Sequence, residues 1–115
     1  MRFKLILASV KTDITDNVVD AAKEGGATGA TIIPARGTGI HEAKTFFGLS
    51  LEAQTDIIMF LVEEHIALNI LDIIKEAGEF HKPGTGIAFM LPVERVVGLE
   101  SQMEQFKEKV RESYF

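Results

Sequence analysis

Apolar positions along this chain switch between compact runs and a helical spacing, and the switch happens twice in the same order. Residues 3–8 are a short apolar run with no room for a helix before Thr12, which predicts a strand. Thr12, Asp13 and Thr15 then offer side-chain oxygens for capping a helix. Ile14, Val18, Ala21 and Ala22 recur at i, i+4, i+7 and i+8, the spacing of one helical face. Gly25 and Gly26 end that helix, since glycine takes the left-handed conformation at a C-terminal cap at little steric cost. Residues 30–35 predict a second strand, with β-branched Thr31, Ile32 and Ile33.

The second half repeats the plan. Residues 57–62 are a strongly apolar third strand. Glu63 and Glu64 open a helix, where acids suit the positive end of the dipole. Ile66, Ile70, Ile73, Ile74 and Ala77 mark its buried face, and Gly78 ends it. A loop over residues 79–86 carries Pro83, Gly84 and Gly86. Residues 87–91 form a fourth strand, which residues 93–99 continue past a bend at Pro92. Proline cannot donate to a ladder, so this strand belongs at an edge or a bulge. Ser101-Gln102-Met103-Glu104 is a capping box, and Met103, Phe106, Val110 and Tyr114 form a helical seam behind it.

The order strand, helix, strand, strand, helix, strand predicts an α+β fold. Its form is a ferredoxin-like split βαβ sandwich over residues 1–100 with an added C-terminal helix over residues 101–115. Two helices cover one face of such a sheet. Strands this apolar need cover on both, so bare faces meeting in an oligomer is the economical arrangement. Residues 36–54 follow no period. They hold Gly37, Gly39, Gly48 and the pair Phe46-Phe47 in a connection longer than usual. Loops of that kind carry function or stay disordered.

Composition narrows the classes. A chain of 115 residues has room for one domain, and 46% hydrophobic with 25% charged residues is globular rather than disordered material. Seventeen acidic against 12 basic residues leave a net charge of −5, so nucleic acid is not an expected partner. The absence of cysteine removes disulfides, thiol catalysis and cysteine-held metals. No apolar run approaches the roughly 18 residues of a membrane span, and the N-terminal run is too short for a signal segment. A cytoplasmic protein, not embedded in a membrane, is the expectation.

Two copies of Gly-Thr-Gly carry the most chemical information. Gly37-Thr38-Gly39 leaves the second strand behind Arg36, and Gly84-Thr85-Gly86 enters the fourth behind Lys82. Glycines let amides turn outward and let a ligand come close. Threonine adds a hydroxyl, and Arg36 and Lys82 add positive charge, so an anion cradle is one reading. Two tight turns at strand ends is the other. Neither copy is a Walker or Rossmann loop: no lysine follows the second glycine, and Glu42 and Phe89 stand where a third glycine is required. His41, His65 and His81 are scattered, which favours solvated or lightly packed side chains over metal ligands. Phe46 and Phe47 are either an anchor for a partner or a plug folded on their own domain. No catalytic constellation stands out, and a sensor or binding module is expected rather than an enzyme.

The order Ala27-Thr28-Gly29-Ala30-Thr31-Ile32, Arg36-Gly37-Thr38-Gly39, a long loop, a glycine-bearing turn into Phe89, then Val93-Glu94-Arg95-Val96 resembles the P-II nitrogen-regulatory signalling proteins over residues 3–99. The resemblance implies a homotrimer with adenine nucleotide (ADP, AMP or ATP) or a small carboxylate bound between subunits. It also implies a mobile T-loop that docks on a membrane transporter or metabolic enzyme and controls it. Residues 36–54 would be that loop, with His41, Phe46 and Phe47 toward the partner. Gly37, Thr38 and Gly39 would touch phosphates, Thr31 the adenine edge, and Lys82, Gly84, Thr85 and Gly86 would form the phosphate-contacting B-loop. The chain departs from the family pattern in several places. Its loop is shorter and has no tyrosine, so uridylylation is not expected. Ile87 replaces a B-loop lysine, and two late basic residues fall on Gly98 and Glu100. Charge-assisted bonds contribute about 1.5–3 kcal/mol each, so the losses favour AMP, ADP, a cyclic nucleotide or bicarbonate over ATP. The CutA-like trimers, a related branch tied to divalent metal tolerance, are the alternative family reading.

Overall fold

A computed structural model of the chain describes residues 1–37 and 53–99. Four strands and two α-helices follow in the order β1 (Phe3–Lys11), α1 (Thr15–Glu24), β2 (Thr31–Gly37), β3 (Ala53–Glu63), α2 (Glu64–Ala77) and β4 (Gly86–Val93). The sheet order is β2-β3-β1-β4, with every neighbouring pair antiparallel. This is the ferredoxin-like α+β sheet that the doubled pattern predicts. The C-terminal helix expected over residues 101–115 lies outside the described residues.

Alternation divides the sheet into two faces. Ile6, Ala8 and Val10 of β1 share one face with Ile58, Phe60 and Val62 of β3. The helices lie on that side, supplying Val18, Val19 and Ala22 from α1 and Ile66, Ala67, Ile70 and Ile74 from α2 to one buried core. Helix α2 buries the stripe its spacing indicates, whereas α1 buries Val18 and Ala22 of the expected face together with Thr15 and Val19, and leaves Ala21 outside the core. A Cβ on Gly25 would stand 2.3 Å from Ile73 Cδ1, so glycine lets the end of α1 approach α2 closely.

Several expected details differ. Thr12 and Asp13 belong to a short 3-10 turn and do not cap α1 with their side chains. Thr15 is buried at the start of α1, and its hydroxyl donates to Asp56 Oδ2 of β3 at 2.7 Å. A cross-element bond thus takes the place of the local cap. At the first helix end Gly26, not Gly25, has a positive φ. Helix α2 does end at Gly78 as expected, and the residue after it, Glu79, takes a left-handed φ of 52. Arg36 and Gly37 complete β2 by pairing with Gln54 and Ala53, so both ends of the expected 36–54 loop are strand. β4 passes through Pro92 and stops at Val93 rather than continuing to residue 99, because Val93 already pairs with Phe3, the first residue of β1. Pro92 and Pro34 sit on the two edge strands, where a missing N–H costs no ladder bond.

Replacing Thr15 by valine keeps the volume and removes the donor to Asp56. Urea denaturation should show a loss of about 1–2 kcal/mol, and a smaller loss for Asp56→Asn, which keeps an acceptor oxygen.

Candidate functional site

Of the expected site residues, Thr31, Arg36, Gly37, Lys82, Gly84, Thr85 and Gly86 have positions fixed by this topology. Arg36 and Gly37 end β2 on one edge of the sheet. Lys82, Gly84, Thr85 and Gly86 lead into β4 on the other edge. Both groups lie at one end of the sheet: Gly86 pairs with Val10, Lys11 pairs with Thr55, and Arg36 pairs with Gln54 one residue further on. With β3 and β1 between them, the edges stand three strand spacings apart, roughly 14 Å. One protomer does not bring the two groups together. Thr31 lies on the uncovered sheet face beside Met59, six residues from Gly37 along β2, roughly 20 Å in an extended strand. Thr38, Gly39, His41, Phe46 and Phe47 lie outside the described residues.

The loop into β4 is closely braced. Helix α2 ends at Gly78, and Lys82 N–H donates to the Glu79 carbonyl at 2.9 Å, closing a turn. The Thr85 hydroxyl donates back across the loop, 3.0 Å from the carbonyl oxygens of both Glu79 and Lys82. Gly84 has φ +79 and lies open, with no atom near its missing side chain. Gly86 is enclosed: a Cβ there would come within 2.7 Å of both Phe80 Cε1 and Ser9 O. Phe80 folds inward as a half-buried ring against the core, and it also presses on Gly78, where a Cβ would stand 2.3 Å from Cε1. The paired glycines are thus different in kind. Gly84 supplies conformation, and Gly86 supplies room for Phe80 and for the neighbouring strand.

Sequence reasoning missed Phe80 and Glu79. The signal for Phe80 was a lone aromatic in a polar loop, flanked by glycines on both sides. Glu79 pairs with Lys82, Oε1 to Nζ at 3.0 Å. Its hydrogen bond and charge attraction to Lys82, with a smaller contribution from His81, hold its carboxyl below the usual glutamate range. The lysine expected to meet a ligand therefore already has an anionic neighbour.

A second cluster lies at the opposite end of the sheet. Glu63, Glu64 and His65 offer donor atoms within 4.8 Å of one another. Glu63 is buried and caps α2, accepting from the His65 N–H at 2.6 Å and lying against His65 Nδ1 at 2.5 Å. His65 is thus bound to its own helix cap rather than simply solvated. These contacts account for the acid as a cap, and the positive end of the helix opposes a cation there.

The helix-free face is apolar. It presents Ile33, Ile57, Met59, Leu5, Leu7 and Leu61 together with Ile87, Phe89 and Leu91 of β4. Four of these stay substantially exposed in the single chain: Ile33 43%, Ile87 61%, Phe89 46% and Leu91 44%. Contiguous exposed apolar patches of this kind mark interaction surfaces.

A model of the family described as Nitrogen regulatory protein P-II matches residues 3–103, and the chain belongs to this family. Among solved structures, the chain is similar to a protein from Thermus thermophilus described provisionally as a PII-like signaling protein. The two are 28% identical with a TM-score of 0.60 over 81% of this chain and 87% of the other. The chain is a P-II-like signalling protein, in a family whose members regulate rather than catalyse. Among the described residues no helix is long and apolar enough to cross a membrane.

The Gly78–Phe80 contact gives a direct test of the loop's bracing. Gly78 has φ −85, which suits alanine, so the penalty of Gly78→Ala comes chiefly from the ring, with the Ile74 carbonyl oxygen at 3.1 Å a lesser contact. It should cost about 1–3 kcal/mol in the wild-type background and under about 0.5 kcal/mol in Phe80→Ala, a non-additivity read from paired thermal or urea melts.

Proposed function

We propose that this chain forms a cytoplasmic homotrimer through its uncovered sheet face and senses a small anionic effector in the clefts between protomers. Adenine nucleotides (AMP, ADP, ATP) or a small anion such as bicarbonate are the effector classes. The response is carried by residues 38–52, including His41, Phe46 and Phe47, to a membrane transporter or a metabolic enzyme, with control of nitrogen metabolism as the family's name suggests.

One observation carries the reading. The two glycine-bearing ends sit at one end of the sheet but on opposite edges, so a shared site needs the β2 edge of one protomer beside the β4 edge of the next. Repeated head to tail from copy to copy, that contact is heterologous, and a heterologous contact that closes on itself makes a ring. Face-to-face packing of the apolar sheets supplies the energy, at about 25 cal/mol per Å² of apolar surface covered. In such a ring Arg36 and Gly37 of one chain face Lys82, Gly84, Thr85 and Gly86 of its neighbour. Thr38 and Gly39 extend the first group, and Thr31 lies further along the same strand.

Sedimentation equilibrium should give three times the 12.7 kDa protomer mass, and Phe89→Glu or Leu91→Glu should yield monomers. A dimer, or an unaltered mass in both variants, would defeat the proposal. Calorimetric titration with AMP, ADP and ATP should give binding that Lys82→Gln and Arg36→Gln each weaken about tenfold, the loss of one charge-assisted contact. Because the site is shared, trimers reassembled from a mixture of the two single variants should regain some wild-type sites. Variants mixed without recovery would place both residues in a single-chain site and sink the ring.

A further inference from the structure

The loop that supplies Lys82 also carries its own anion. We propose that Glu79 is a specificity-determining residue of the effector site: its carboxylate occupies Lys82 and sets the cleft against highly charged ligands. This rests on the proposed anion site between protomers and deepens it by naming which anions it takes.

The geometry is built rather than incidental. Glu79 Oε1 lies 3.0 Å from Lys82 Nζ. The backbone holds the two residues three apart in a hydrogen-bonded turn, with Lys82 N–H on the Glu79 carbonyl. The Thr85 hydroxyl bridges toward both of their carbonyls. Glu79 adopts φ 52, a conformation that non-glycine residues rarely take. Both side chains are more than half exposed, so an incoming ligand can reach them. Lys82 strengthens the acidity of Glu79, so at neutral pH the carboxylate is charged and the pair is intact.

An entering phosphate or carboxylate must share Lys82 with Glu79 or displace it. The repulsion from Glu79 grows with every negative charge on the ligand. A monoanion or a nucleoside monophosphate meets little of it, and a triphosphate meets several times as much. Glu79 acts directly, because it opposes Lys82, the one lysine of the loop.

The test compares wild type, Glu79→Gln and Asp20→Asn by calorimetric titration with AMP and ATP at low salt. Asp20 is an exposed acid on α1, so its variant carries the same change in net charge away from the loop. Glu79→Gln should tighten AMP about threefold and ATP about tenfold. Both gains should shrink at about 0.5 M salt, where exposed charges are screened. Asp20→Asn should change neither ligand by more than the error. Thermal melts of the free proteins check that the loop variant is folded. Detectable binding that appears only in Glu79→Gln would support the proposal most strongly. Equal affinities in wild type and Glu79→Gln, or an equal gain for AMP and ATP, would overturn the role of Glu79 and leave the nucleotide site standing. No binding by any of the three proteins would overturn the site itself, and this inference with it.

Discussion

A four-stranded sheet with apolar side chains on both faces and helices for only one of them governs the rest of this molecule. The helix side is closed, with Ile6, Ile58 and Phe60 fully buried beneath α1 and α2. The other side repeats the chemistry in register: Phe89, Leu7 and Met59 in one row, Leu91, Leu5 and Leu61 in the next. Covering a side chain of this size is worth about 1.5–3 kcal/mol. A pattern of alternation that buries only half of its apolar residues within the chain is a pattern for association.

The two prolines add a constraint on how that association runs. Unpaired edges normally invite strand addition, which would fuse neighbouring sheets into one ladder. Pro34 on β2 and Pro92 on β4 each remove a donor from an edge. In the proposed assembly, contact is thereby steered to the faces, and edges of adjacent copies lie close without being zipped together. An open gap between edges is what a ligand site requires. Under the proposed arrangement the same residues that prevent continuous pairing keep the cleft available.

Much of the fold was legible because its signals are periodic. The stripe Ile66, Ile70, Ile74 and the compact run at residues 57–62 mark a helix and the strand before it, and the same pair of signals in the first half gives the doubled order of elements. What escaped depends on contacts between residues distant in sequence. Thr15 reads as a cap by its type, yet its partner is Asp56, 41 positions away. The end of β4 is hidden from a local reading because strand length depends on where the partner strand begins, and Phe3 is 90 residues earlier. At the site, the glycine motifs were visible but their division of labour was not. Gly84 follows from a backbone angle, whereas Gly86 follows from a ring and a neighbouring carbonyl that only the folded chain brings near. The Glu79–Lys82 pair is local, and a three-residue spacing outside a helix gives no warning of it.

The connection from effector to partner depends on where the described strands stop. Arg36 pairs with Gln54 and Gly37 with Ala53, so β2 and β3 stay in register to the point where residues 38–52 begin. On the proposed reading, an effector that touches Gly37 touches the last paired position before that segment. A ligand shifts a conformational equilibrium only by the difference in its affinity for the two states. A ligand held by Lys82 and the edge of β2 alone would bind every arrangement of the segment equally and signal nothing. Signalling therefore demands that at least one contact come from beyond Gly37, and Thr38 and Gly39 are the first residues able to supply it. On the proposed reading, binding strength and signalling strength are then set by different parts of the motif: the charges at Arg36 and Lys82 would decide whether the ligand stays, and the amides past Gly37 whether its presence is felt.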